Sequence, residues 1–194
     1  MNRMMVFAAA LLINVSAFAQ SNWGVDVSHS NVLFTVSHLV VSDVQGYFKE
    51  FDATLGYSKE DFSDATATMT IKVNSINTGI EKRDAHLKAD DFFAADKFAD
   101  ITFASKSFKK TGKNTFKITG DLTMRGTTKT VELDAVYRGE IKDPWGNTKS
   151  GWKINGTVNR FDYGLKWNAA METGGLVVGE NVDITINLEM VKKK

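Results

Sequence analysis

The 194-residue sequence contains no cysteine, one proline and three histidines. Without cysteine there is no disulfide framework, no thiolate nucleophile or zinc-thiolate site, and no residue to carry the anchor of a bacterial lipoprotein precursor. The lone proline, Pro144, stands in the turn-like stretch DPWGNT, so no strand is interrupted by a residue that cannot donate to a ladder. An excess of one charge is missing too: 24 Lys and Arg face 23 Asp and Glu, which steers the chain toward neither nucleic acid nor an anionic membrane surface. No run of apolar residues is long enough to be a transmembrane segment.

One short apolar run, Met4–Ile13, has another meaning. Arg3 precedes it and Ala17-Phe18-Ala19 follows it, the three-part pattern of a secretory signal peptide, residues 1–19, with cleavage expected after Ala19. Removing 19 of the 194 residues leaves 175, read as one domain over residues 20–194, with 23 charges of each sign. Export without cysteine is compatible with a bacterial periplasm.

What the chain has in abundance is period-two alternation. Val32, Phe34, Val36 and His38 share one face of the first clear strand. Ala67, Met69, Ile71 and Val73 do so in TATMTIKV, and Phe116, Ile118, Leu122 and Met124 in TFKITGDLTM. Val131, Leu133, Ala135 and Tyr137 follow, then Trp152, Ile154 and Val158, then Val182, Ile184, Ile186, Leu188 and Met190. With EFDATLGY and DITFASKSF, which contributes Ile101 and Phe103, about eight antiparallel strands are expected in an all-β domain. A sheet with one apolar face must close, fold over or be covered, and a barrel of roughly eight strands has an interior that side chains fill or that holds one small ligand. The inward set offers Phe34, Val36, His38, Met69, Ile71, Phe103, Phe116, Met124, Leu133, Tyr137, Trp152 and Ile184; residue type alone does not separate an ordinary core from a lined pocket.

Residues 78–98 break the alternation. Ile80, Asp84 and Leu87 fall at helical spacing, and Asp90 is placed to cap a second short turn leading into Phe92 and Phe93. A short helical insertion of this kind is expected to lie over one end of the barrel. Its Arg83, Asp84 and His86 have two readings: polar contacts that satisfy the lid itself, or, for Arg83 and His86, contacts to the head group of a ligand whose tail enters the barrel. Catalysis finds little footing. There is no G-x-S-x-G, P-loop or G-x-G-x-x-G pattern, and His29, His38 and His86 lie in unrelated stretches. No metal-ligand spacing unites these histidines with Asp84, Asp90 and Asp91, so neither catalytic nor metal-binding residues are assigned and no cofactor is expected.

Several motifs occur in an order that resembles the YceI-like family, exported bacterial proteins with a lipocalin-like barrel. The stretch DVSHSNVLFTVSHL carries His29, Ser30, Phe34, Val36, His38 and Leu39. GYFKEFDATL carries Gly46, Phe48, Phe51 and Asp52, and the insertion carries Arg83, Asp84, His86, Leu87, Asp90 and Phe92. GDLTMRGTTKTVEL, RFDYGLKW and VGENVDITINLE complete the match, and Ala99 and Thr130 depart from it where the family commonly has proline. The resemblance implies a single lipocalin-like antiparallel barrel that binds a polyisoprenoid or similar apolar or amphiphilic lipid, with the inward residues as its lining and Arg83, Asp84, His86 and Phe92 as lid or head-group contacts. It also makes a homodimer conceivable. The alternatives left open are an exported structural or stress-protective protein with a self-filled barrel, and an enzyme acting on a lipid near His38 or His86.

Overall fold

The computed structural model describes residues 21–169 and 176–193, so the expected leader and its cleavage point lie outside the described residues. The alternating stretches form strands β1 (Ser21–Val25), β2 (Asn31–His38), β3 (Ser42–Phe48), β4 (Phe51–Tyr57), β5 (Thr66–Lys72), β6 (Ile76–Asn77), β7 (Asp100–Lys110), β8 (Thr115–Met124), β9 (Thr127–Lys142), β10 (Thr148–Asn159) and β11 (Val178–Lys192). Helix α1 (Glu81–Lys88) lies between β6 and β7.

These eleven segments make eight ribs. Strands β1 and β2 are halves of one rib along the edge of β11, with Trp23 opposite Lys192 and His38 opposite Val178. Strands β3 and β4 repeat the arrangement against β2 and β1, and β6 and β5 repeat it against β3 and β4. Each rib runs antiparallel to its neighbours, and the pairing of β11 with β1 and β2 closes the sheet into a barrel. Closure removes the free edges along which an open sheet would aggregate.

The first three ribs are creased at neighbouring positions, around residues 26–30, 49–50 and 73–75. Side chains and stray backbone groups repair the ladder there, as buried polar groups require. The Glu189 N–H is accepted by Ser30 Oγ at 2.9 Å while the Asp26 N–H donates to the Glu189 carbonyl at 2.8 Å. Lys72 N–H donates to the Glu50 carbonyl at 2.9 Å, and Ser75 Oγ to that of Lys72 at 2.7 Å.

Strands β1, β3 and β6 were not among those expected from the sequence; each abuts a crease in its rib. In β7 the register shifts between Ser105 and Ser107, which turns Phe108 into the core after Ile101 and Phe103 had set the opposite parity. Gly46 and Gly120 face inward beneath rings. A Cβ on Gly46 would overlap Phe34 and one on Gly120 would overlap Phe103, so each glycine makes room for a neighbouring aromatic. Ala99 immediately precedes β7, as a strand entrance should, whereas Thr130 lies inside β9 and donates from Oγ1 to Asp121 at 2.8 Å.

An ionic knot fastens the seam where β1 meets β11. Lys149 Nζ on β10 lies 2.9 Å from Asp26 and also binds Glu189, and His29 Nδ1 stands 3.1 Å from Asp26. The Lys149 ammonium, aided by His29, holds the Asp26 carboxyl down at about 2, against its ordinary 3.8. A depressed carboxylate contributes stability that is complete above its ordinary value and lost as pH falls from 3.8 through about 2. The partnership pushes Lys149 up, so its contribution is complete below its ordinary 10.5 and lost above it. Thermal melts are therefore expected to show a plateau that drops in acid. In Lys149→Met the two carboxylates face each other unneutralised, and acidification from neutrality toward about pH 5 should raise the melting temperature instead. An unchanged sign in the variant would remove the knot's role.

The β2–β3 turn is strained. Val41 N–H closes it on the His38 carbonyl at 3.3 Å, and both residues between, Leu39 and Val40, have positive φ, 53° and 62°. Asparagine and glycine are the usual occupants of such positions, and a β-branched residue there costs about 1–2 kcal/mol. Val40→Asn is expected to raise the melting temperature by roughly 2–4 °C, read by circular dichroism.

Candidate functional site

The end of the barrel at the β4–β5, β7–β8 and β9–β10 connections is stoppered from inside. Residues 58–65 drop the Phe62 ring into the bore, where its centroid lies 4.6 Å from Tyr57, 5.4 Å from Phe116, 5.0 Å from Tyr137 and 5.1 Å from Trp152. These distances suit tilted and edge-to-face pairs. Burial among the rings pushes the Tyr57 hydroxyl up to about 12.

Above this stopper the bore holds a cavity of about 200 Å³. Nine of the twelve inward residues expected to form a lining do line it: Phe34 and Val36 from β2, Met69 and Ile71 from β5, Phe103, Met124, Leu133, Trp152 and Ile184. The other three do not. Phe116 and Tyr137 face inward but lie at the level of the stopper, against Phe62. His38 has the right parity but ends β2, opposite Ser42 and Val178, and does not itself line the cavity although Val178 does. Alternation gives the face of a rib and not the height along it.

The opposite end is covered by α1 and residues 89–98. Leu87, Phe92 and Phe93 reach down to the cavity. Arg83 and Asp84 serve the cover itself: Arg83 donates from Nε to Thr78 Oγ1 at 2.7 Å and from Nη2 to the Thr78 carbonyl at 2.8 Å, while Asp84 accepts from Thr78 N–H and Oγ1 at 2.8 and 2.6 Å. Ile80 at the N-cap position offers no side-chain cap, and the clasp instead fastens the first turn of α1 to the chain that enters it. The clasp commits Arg83 Nε and Nη2 to Thr78. His86 pairs with Asp91 at 2.8 Å, its ring set between Phe92 and Trp167 with centroids 4.9 and 5.1 Å away. A second short turn does follow at residues 90–93, but the Asp90 carboxylate does not cap it; it accepts from Lys97 at 2.8 Å, and Ala94 turns the chain with a φ of 50°. Arg125 ties the cover down by donating to the carbonyls of Asp90 and Gly164, at 2.7 and 2.9 Å.

The residue that sequence reading missed is Arg160, just past β10. It is 4 % exposed and is the one charged residue among the described residues lining the cavity. Nε donates to Gly179 at 2.7 Å, Nη1 to Leu165 at 2.6 Å and Trp167 at 2.9 Å, and Nη2 to Val178 at 3.0 Å, all through carbonyl oxygens. No carboxylate bonds to it among the described residues. Burial pulls its pKa below the ordinary arginine value, with Glu180 opposing, yet guanidinium stays charged. Among the described residues one of its five guanidinium protons has no acceptor, and the guanidinium carbon lies 4.4 Å from the centroid of the Phe161 ring.

The three histidines do not converge. His29 belongs to the seam knot, His38 to the β2–β3 hairpin end and His86 to the cover. Asp26, His29 and Glu189 do come together, but the Lys149 ammonium sits between the two carboxylates, where a metal ion would have to displace it. Among the described residues no histidine is hydrogen-bonded to a serine or threonine hydroxyl.

A closed eight-ribbed meander around an apolar cavity, stoppered at one end and covered by a short helix at the other, defines a lipocalin-like barrel. The chain belongs to the YceI-like family, whose model matches residues 23–190. It is 41 % identical over 170 residues to UPF0312 protein SAS2572 of Staphylococcus aureus, covering 87 % of this chain and 96 % of that one. Among solved structures, BcnA of Burkholderia cenocepacia superposes with a TM-score of 0.75 at 22 % identity, over 85 % of this chain and 98 % of the other. A domain of Saccharophagus degradans, described as polyisoprenoid-binding and implicated in plant cell wall breakdown, does so at 0.64 and 17 % identity, over 88 % and 98 %.

Proposed function

We propose that this protein is an exported, periplasmic carrier of an isoprenoid-type or similar amphiphilic lipid, its tail in the bore and its head at the covered end near Arg160. The observation that carries the reading is the lining: apolar throughout except for three threonines and one buried guanidinium. The likeness to a fold described as polyisoprenoid-binding supports the choice of tail. Burial of a tail drives binding at about 0.8 kcal/mol per methylene-sized group, so ten carbons contribute on the order of 8 kcal/mol before the costs of association. Selectivity then follows tail width and length, and a quinone carbonyl or a phosphate both suit the spare proton on Arg160.

A second reading, a barrel filled by its own side chains, is favoured by the cavity's size. About 200 Å³ is below the roughly 300–1,000 Å³ typical of ligand pockets, so a long tail must push aside flexible residues such as Met69 and Met124. Native mass spectrometry of protein taken from its own host, followed by organic extraction, separates the two. A released lipid near one per chain supports carriage. An empty protein that also refuses added prenol leaves the self-filled barrel.

A further inference from the structure

We propose that the hairpin tip Leu39-Val40-Val41 inserts into the surface of a lipid bilayer, setting the covered end of the barrel on the membrane where lipid is collected or delivered. The inference rests on the lipid-carrying reading above, and the experiment below lets either fail alone.

The tip is apolar and out in water: Leu39, Val40 and Val41 are 40 %, 71 % and 83 % exposed, with exposed Ile80 at the same end of the barrel. It is also strained, because Leu39 and Val40 occupy left-handed positions that suit Asn-Gly. Strain costs folding stability and exposure forgoes the gain of burial, which directs the explanation to a partner outside the molecule. The tip is attached directly to the cavity wall. Leu39 N–H donates to the Val177 carbonyl at 2.9 Å, and Val178 of β11 and Val36 of β2, close by on the two strands, line the bore.

A bilayer fits better than a second copy of the chain or another protein. Three side chains on a convex tip fall far short of the roughly 800 Å² per partner of a stable protein interface, whereas a bilayer surface deforms around a small apolar wedge. No Lys or Arg occurs between residues 37 and 48, so the attraction is apolar and indifferent to salt. The other exposed apolar tip, with Trp145 and Ile141, stands at the far end, behind the Phe62 stopper, where membrane contact would give no access to the cavity.

The absence of cysteine permits a single reporter. Val41→Cys labelled with an environment-sensitive fluorophore is mixed with phosphatidylcholine vesicles, beside Lys113→Cys labelled in the β7–β8 turn at the far end. Emission from the tip label is expected to rise at least about two-fold, unchanged by added salt, while the far label stays constant. Equal responses, or a response from Lys113→Cys alone, would overturn the proposal. In parallel, an unlabelled Val40→Asp/Val41→Asp protein is expected to take up a fluorescent prenol from the same vesicles at least about ten-fold more slowly than wild type, yet normally from cyclodextrin. Equal uptake from vesicles would also overturn it. If the wild type refuses prenol from cyclodextrin, carriage fails while the label response still decides insertion.

Discussion

Ile184→Trp is expected to lower affinity for a prenol by at least about a hundred-fold, about 2.7 kcal/mol, while the barrel remains folded. Ile184 sits midway along β11, opposite Phe34 on one side and Gly156 on the other, with its side chain on the cavity. An indole there occupies space that is empty rather than displacing packed neighbours, so the usual penalty of overpacking, about 1–3 kcal/mol, is avoided or much reduced. Affinity read by fluorescence titration and stability read by thermal melting should consequently move apart. Ile184→Ala should do the reverse, enlarging the space and costing about 2–5 kcal/mol of stability with binding preserved. Undiminished binding in the tryptophan variant would mean that the lipid lodges elsewhere.

Phe62→Ala carries the largest expected cost to the fold. The ring is buried against four other aromatics, and its removal opens a void at the stoppered end, a change that typically costs about 3–5 kcal/mol. For a chain of this length that is a fall of roughly 10 °C in melting temperature, observable by calorimetry. Phe62 has a φ of 60°, so the native loop already tolerates a left-handed phenylalanine; the ring's contacts outweigh that strain. Variants that retain an aromatic, such as Phe62→Tyr, should lose much less. A change below about 1 kcal/mol for the alanine variant would show that the bore closes without the ring.

The face of each strand was legible in the sequence because a strand with one wet side writes its geometry every second residue. The series Val182, Ile184, Ile186, Leu188, Met190 reads β11 inward without further knowledge, and Leu133 and Ile154 follow the same rule. The rule lapses where one extra residue enters a strand, which is why Phe108 belongs to the core despite its parity. It also says nothing about height, and so His38, Phe116 and Tyr137 were grouped with residues they do not join at the cavity. Arg160 and Phe62 were illegible for a different reason. One is buried by carbonyls from residues 165 to 179 and the other by rings on four separate strands, and neither environment leaves a local pattern. The cover was legible as a helix whose Arg83 and Asp84 make polar contacts within it, but not in their partner, Thr78, which is fixed only when the chain turns back on itself.

The creases in the first three ribs make the wall mechanically uneven. From β7 to β11 the hairpins are long and continuous, with β10 and β11 matched over eleven residue pairs. Strand β6, by contrast, meets β3 through two pairs, and its other side rests on the insertion instead of on β7. Local opening proceeds where the fewest hydrogen bonds must break, so this corner is the compliant part of an otherwise stiff cylinder and its amides are the ones that exchange with solvent first. A bulky tail entering the narrow bore would be accommodated by flexing this panel rather than by expanding the whole circumference, and the time it stays inside would be set by how often the panel bends.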